Sequence, residues 1–168
     1  MSLVNLTING KEVSVPAGTK ILDAAKQVNI NIPNLCHLKM DEINMVNQCA
    51  SCRVCMVSSG RGLVPACGTN VKEGMVVNTN TPEALKFRKN VVELLLSDHP
   101  QDCLSCSKNG KCELQDIAAE LGIRKVRFRG EQATAPTDTS SKSIVKDHDK
   151  CILCRRCETM CNEVQRSE

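Results

Sequence analysis

Residues 3–15 read LVNLTINGKEVSV, two runs of alternating apolar and polar side chains on either side of Asn9-Gly10. Asn-Gly between such runs is the strongest short-range hairpin signal, because both turn positions need a positive φ. Pro16, Ala17 and Gly18 close the second strand. In TKILDAAKQVNI, residues 19–30, the spacing then changes to a helical one. Ile21, Leu22, Ala25 and Val28 share a face there, and Thr19 is the expected N-cap.

Strand, strand, helix is the opening of a β-grasp, or ubiquitin-like, domain. Further strands are expected around RVCMVSS (53–59), GLVPAC (62–67) and GMVVNT (74–79), forming a mixed sheet with one covering helix. The fold class is α+β. Cys36 to Cys67 fall mostly in the loops between these strands. A second unit begins at Thr81, whose hydroxyl can cap a helix with Pro82 in its first position. Ala84, Phe87, Val91, Leu94 and Leu95 recur with helical periodicity. That helix should end between Ser97 and Pro100, delivering His99 to the cysteines that follow. ELQDIAAEL (113–121) predicts another helix, with Leu114, Ile117, Ala118 and Leu121 on one face and Gly122 as its stop. The polar stretch GEQATAPTDTSSKS (130–143) reads as a linker, and the chain closes on the cysteine run KCILCRRCETMC (150–161). The expected domains are 1–78, 79–129, a linker over 130–146, and an incomplete unit over 147–168.

Composition says what organises so small a set of cores. The 168 residues include no Trp, no Tyr and two Phe, but twelve Cys. The large aromatic surfaces that usually dominate an interior are missing. Twelve cysteines suit either a secreted disulfide scaffold or an intracellular metal protein. The N-terminal MSLVNLTINGKEV has no basic stretch followed by an apolar run and cleavage site, and no segment approaches transmembrane length. A reducing cytoplasm is therefore expected, where Cys-x2-Cys pairs serve as metal ligands or redox dithiols. The formal charge of +3 counts every thiol as neutral. Each iron-sulfur site would subtract about one or two charges, leaving a mildly acidic protein. RKVRFR (124–129) is the one basic run; with a single Phe and no wider basic patch it predicts a solvated or partner-facing strand rather than a nucleic-acid surface.

The cysteines fall into three sets. Cys36, Cys52, Cys55 and Cys67 could supply the four thiolates of a 2Fe-2S cluster, but so could Cys49, Cys52, Cys55 and Cys67, and spacing alone leaves both open. His99, Cys103, Cys106 and Cys112 form the most specific constellation, three thiolates and one imidazole between two helices. Zinc takes the same donors tetrahedrally, so a zinc-stabilised scaffold is the competing reading from a different class. Cys151, Cys154, Cys157 and Cys161 follow the two-cluster ferredoxin run, whose fourth cysteine serves the other cluster. Thiol-disulfide exchange at Cys52 and Cys55, or at Cys103 and Cys106, would need a βαβ context that the sequence does not offer.

ASCRVCMV (50–57), GLVPACGT (62–69), GMVVNTNTPE (74–83), DHPQDCLSC (98–106), KCELQ (111–115) and KCILCRRCETMCNEVQ (150–165) together resemble a known family. It is the N-terminal iron-sulfur module shared by the large iron-sulfur subunit of respiratory complex I, NAD-linked formate dehydrogenases and iron-only hydrogenases. The likeness is strongest to the catalytic subunit of the NAD(P)-linked, multi-subunit hydrogenases. It implies a 2Fe-2S cluster on Cys36, Cys52, Cys55 and Cys67, with Cys49 as a spare thiol. It implies a 4Fe-4S cluster on His99, Cys103, Cys106 and Cys112. A further 4Fe-4S cluster is implied on Cys151, Cys154 and Cys157, with Cys161 pointing to one whose remaining ligands lie downstream in the complete domain. The chain is accordingly expected to be a fragment of a larger subunit.

The function this resemblance implies is relay of single electrons between a flavoprotein that oxidises NADH or NADPH and a distant redox centre. A small 2Fe-2S subunit is the second expected partner, with ferredoxin a further candidate. A complex I-like, formate dehydrogenase or transhydrogenase assembly is the alternative setting. No GxGxxG fingerprint or Walker loop is found, so flavin and nicotinamide are expected on another chain. No nucleophile-base pair is apparent. His37 reads as a second-layer donor or surface residue, and His148 as a surface residue. Replacing one thiolate by an imidazole should raise the second cluster's potential and couple it to protonation.

Overall fold

The computed structural model describes residues 2–40, 43, 45, 50–130 and 135–165. Its chain divides into two compact units, one made of residues 1–88 and 155–168, the other of residues 89–154.

In the first unit β1 (Leu3–Ile8) and β2 (Lys11–Pro16) form the expected hairpin, pairing Ile8 with Lys11 and Leu3 with Pro16. Asn9 and Gly10 have φ of 49° and 80°, the pair of left-handed residues that a tight hairpin turn requires. Asn9 also ties the turn to the far side of the sheet: its side-chain amide donates to Thr79 Oγ1 at 2.7 Å, and its Oδ1 accepts from Thr79 N–H at 2.8 Å. α1 (Ile21–Gln27) crosses over, and β5 (Met75–Val77) returns parallel to β1, giving the order β2-β1-β5. A parallel pair needs such a crossover, because no tight turn can join its strands. Leu6, Ile8, Val15 and Val77 meet Ile21, Leu22, Ala24 and Ala25 in the core, all at 3% exposure or less. Leu22→Ala, at a site 1% exposed, is expected to cost about 2–5 kcal/mol, measurable as a lowered denaturant midpoint.

Two local expectations are corrected. The N-cap of α1 is Lys20, not Thr19, and no side chain caps the helix. The Thr19 hydroxyl is used one step earlier, donating to the Pro16 carbonyl at 2.7 Å. The remaining strands, β3 (Met56–Ser58) and β4 (Leu63–Pro65), lie in a ladder of their own rather than in one mixed sheet. β3 starts directly after Cys55 and β4 ends at Pro65, which has no N–H to extend the pairing, so both stay three residues long. They meet the main sheet through the isolated Ser58–Asn78 bridge.

α2 (Pro82–Ser97) begins as anticipated, with the Ala84 N–H donating to Thr81 Oγ1 at 3.2 Å. Its buried stripe is not the predicted one. Phe87 and Leu94 are 37% and 55% exposed, whereas Ala84, Arg88, Val92 and Glu93 are buried. Apolar spacing marked the wrong face because two of the buried positions are charged residues with fixed partners.

In the second unit α3 (Glu113–Glu120) buries Leu114, Ile117 and Ala118. It stops at Gly122, whose φ of 64° lets Gly122 N–H reach Ala119 O at 3.0 Å and Ile123 N–H reach Ala118 O at 2.9 Å. This is the paired-carbonyl ending that favours glycine. Residues 124–129 form no strand. Arg127 holds this segment by donating to Glu93 Oε2 at 2.6 Å and to Asn90 Oδ1 at 2.8 Å, so its bonds go to side chains and not to a neighbouring strand. Gly130 passes so close to the end of α2 that a Cβ there would sit 2.9 Å from the Ser97 carbonyl oxygen. Among the described residues no helix is long and apolar enough to cross a membrane.

Candidate metal centres

The loops around β3 and β4 bring Cys36, Cys52, Cys55 and Cys67 to one place. All four are buried, at 1%, 8%, 0% and 0% exposure. Cys55 Sγ and Cys67 Sγ are 3.3 Å apart, and Cys36 lies in hydrogen-bond contact with both Cys52 and Cys67. Backbone amides surround the sulfurs. Ala50 N–H donates to Cys67 Sγ at 3.2 Å, the amides of Cys52 and Ser51 face Cys36, and those of Cys67 and Ala66 face Cys55. Ala50 and Arg53 have φ of 72° and 57°, a sparsely populated conformation that bends the loop so that its N–H groups turn inward. Hydrogen bonds from Cys52 and Cys67 hold the Cys36 thiol far below the usual range against the opposing effect of burial. The same Cys36–Cys52 contact, together with burial, pushes Cys52 up. Cys55 is lowered to about 7, chiefly by Cys67. A cradle that stabilises thiolate in a dry interior is what cluster ligands need, since they bind as thiolates. Cys49 lies outside the described residues.

In the second unit His99, Cys103 and Cys112 line one cavity of about 340 Å³, walled by Leu96, Leu114 and the 123–126 segment. α2 ends just before His99, the 3-10 turn Cys103–Ser105 presents Cys103, and Cys112 is the N-cap of α3. Cys106 follows that turn and is half-buried, but it is not among the cavity's lining residues. His99 Nδ1 lies 2.8 Å from the Pro100 carbonyl oxygen. A carbonyl only accepts, so Nδ1 carries the proton and Nε2 keeps its lone pair for a metal, the usual way a second hydrogen bond fixes a ligating imidazole. The intervening loop is fastened by Gln115, which accepts from Gly110 N–H at 3.4 Å and donates to Asn109 Oδ1 at 3.3 Å.

The third set is divided: Cys151 and Cys154 belong to the second unit, Cys157 and Cys161 to the first. Leu153 and Arg155 have φ of 52° and 59°, so the run is kinked twice before the helical stretch formed by α4 (Arg156–Thr159) and the π-helical Met160–Gln165. Cys151, Cys157 and Cys161 are exposed and Cys154 is half-buried. None of the eleven described cysteines is in a disulfide. Among the described residues no three His, Cys, Asp or Glu side chains are grouped as a single metal ion would need. His37 is half-buried, and His148 is exposed, its carbonyl accepting from Cys151 N–H at 3.1 Å.

Residues 2–82 match the family described as a 2Fe-2S iron-sulfur cluster binding domain, and residues 88–127 match the NADH-ubiquinone oxidoreductase-G iron-sulfur binding region. The chain is 52% identical over 98% of its length to the HndD subunit of the NADP-reducing hydrogenase of Solidesulfovibrio fructosivorans, of which it covers 28%. It is 34% identical over 92% of its length to the gamma subunit of the NAD-reducing hydrogenase HoxS of Cupriavidus necator, covering 64% of that protein. A crystal structure of an NAD+-reducing [NiFe]-hydrogenase in the H2-reduced state superposes with a TM-score of 0.85 at 25% identity, over 94% of this chain and 65% of that one. The chain belongs to the iron-sulfur module shared by NAD(P)-linked hydrogenases and the large iron-sulfur subunit of complex I.

As an iron-sulfur module it carries a 2Fe-2S domain followed by a 4Fe-4S region, and its role is electron transfer. The residues present fit those groups. The first site offers only thiols, already gathered and supplied with N–H donors, and the second offers sulfur and one oriented imidazole nitrogen around a cavity. Sequence reasoning missed the buried Arg88. Its guanidinium donates to Met56 O at 2.8 and 2.9 Å and to Thr79 O at 2.6 Å, and those acceptors lie 32 and 9 residues away in the chain. No local pattern signals them.

Proposed function

We propose that Cys36, Cys52, Cys55 and Cys67 hold the module's 2Fe-2S cluster, and that His99, Cys103, Cys106 and Cys112 hold a 4Fe-4S cluster. Cys151, Cys154, Cys157 and Cys161 serve a further 4Fe-4S site that is incomplete within this chain or shared. Such clusters accept and release single electrons without breaking bonds. The chain's residues fix where they sit, stabilise the thiolate ligands and keep water out. The observation that carries this reading is the buried four-cysteine cradle with amides turned toward sulfur. Relatives whose names specify NADP, NAD or NADH support a relay between a flavoprotein that oxidises NAD(P)H and a distant redox centre, in a hydrogenase-type complex. A small 2Fe-2S subunit would be its other neighbour. Twelve cysteines, with those described all unpaired by disulfides, suit the reducing cytoplasm.

The chain spans about 28% of its 52%-identical relative, so this relay is one part of a larger machine. Anaerobically reconstituted protein should be brown and bleach on adding dithionite; a colourless sample unaffected by the reductant would contradict the proposal. Cys49→Ser should leave the 2Fe-2S electron paramagnetic resonance signal unchanged. Loss of that signal would shift the first ligand set to include Cys49.

A further inference from the structure

Arg88 is 3% exposed, and each hydrogen bond shown for its guanidinium ends on a backbone carbonyl, of Met56 or Thr79. Among the described residues none of the ion pairs includes it. A buried charge without an opposite charge is strongly unfavourable, and carbonyl dipoles offset only part of that cost. The other arginine engaged with α2, Arg127, is paired with the Glu93 carboxylate, so the helix is not short of an acidic partner where one is needed. Met56, which takes two of the Arg88 bonds, directly follows Cys55, and Cys55 is the anionic group acting on this guanidinium. Arg88, Cys55, Met56 and Thr79 all lie in the first unit.

We propose that Arg88 is the buried counter-ion of the 2Fe-2S site, offsetting the negative charge of the four thiolates and the further charge that reduction adds, and so setting the potential of that site. This rests on Cys36, Cys52, Cys55 and Cys67 being the ligands. The carbonyl bonds hold the guanidinium in place, so Arg88 is a positioning and tuning residue and not a ligand.

The test compares Arg88→Lys, Arg88→Gln and Arg88→Met in the full chain, loaded anaerobically and titrated with dithionite against redox mediators while the 2Fe-2S resonance is followed. At a fixed potential the neutral variants should show a reduced-to-oxidised ratio about tenfold lower than the parent, a shift of about 59 mV for one electron. The lysine variant should stay within about threefold of the parent. Neutral substitution should also lower the melting temperature of the loaded chain more than that of the cluster-free chain, whereas a purely structural role would lower both equally. Neutral variants that load the cluster with an unchanged potential overturn the proposal. If neither neutral variant loads, the lysine variant decides, and a tenfold shift in it overturns the proposal. Absence of the resonance in the unsubstituted chain would instead remove the ligand assignment itself.

Discussion

Cys67→Ser removes the 2Fe-2S resonance and about two irons per chain while leaving the signal of the second unit in place. Cys67 is fully buried, sits 3.3 Å from Cys55 Sγ, and receives the Ala50 N–H, so it stands at the centre of the cradle. Serine fits the space, and the core around α1 should still form, but a hydroxyl at this pH is a poor substitute for a thiolate. Because the cluster binds only the folded first unit, its loss also withdraws stabilisation by ligand binding, and the loaded chain should melt at a lower temperature. Electron paramagnetic resonance of the dithionite-reduced variant, with iron analysis of the same sample, checks this. A full 2Fe-2S signal in Cys67→Ser would mean that another residue completes the set.

His99 should give the second large effect, in two directions. His99→Ala leaves the cavity without its nitrogen donor, and the 4Fe-4S signal should be lost or greatly reduced. His99→Cys restores a fourth ligand but adds a negative charge, so the cluster should assemble with a potential lower by on the order of 100 mV or more. Replacement of cysteine by histidine in 2Fe-2S centres raises potentials on at least that scale. The Nδ1 contact to the Pro100 carbonyl makes the claim specific, because it assigns ligation to Nε2. A redox titration that finds the same potential in His99→Cys and the parent would show that the imidazole is not on the metal.

Much of this was legible in the sequence, for identifiable reasons. Asn9-Gly10, Thr81-Pro82 and Gly122 act through their own backbone geometry, so the hairpin, the start of α2 and the end of α3 are found where local chemistry places them. The cysteine and histidine spacings likewise survive translation into three dimensions at the first site, and at the second for His99, Cys103 and Cys112. What failed depended on distant partners. Arg88 and Glu93 are buried through bonds to Met56, Thr79 and Arg127, so the apolar stripe of α2 pointed to the wrong face. RKVRFR has the composition of an exposed strand, but Arg127 anchors it to α2 by side chains. The inward turn of the amides at Ala50 and Arg53 was equally invisible, because neither residue type favours positive φ.

The most direct measurement is the metal and sulfide content of the anaerobically purified and reconstituted chain. One 2Fe-2S and one 4Fe-4S cluster require at least about six irons and six acid-labile sulfides per chain, with zinc well below one. Stoichiometric zinc without sulfide would contradict the account and leave these cysteines as the staples of a structural scaffold.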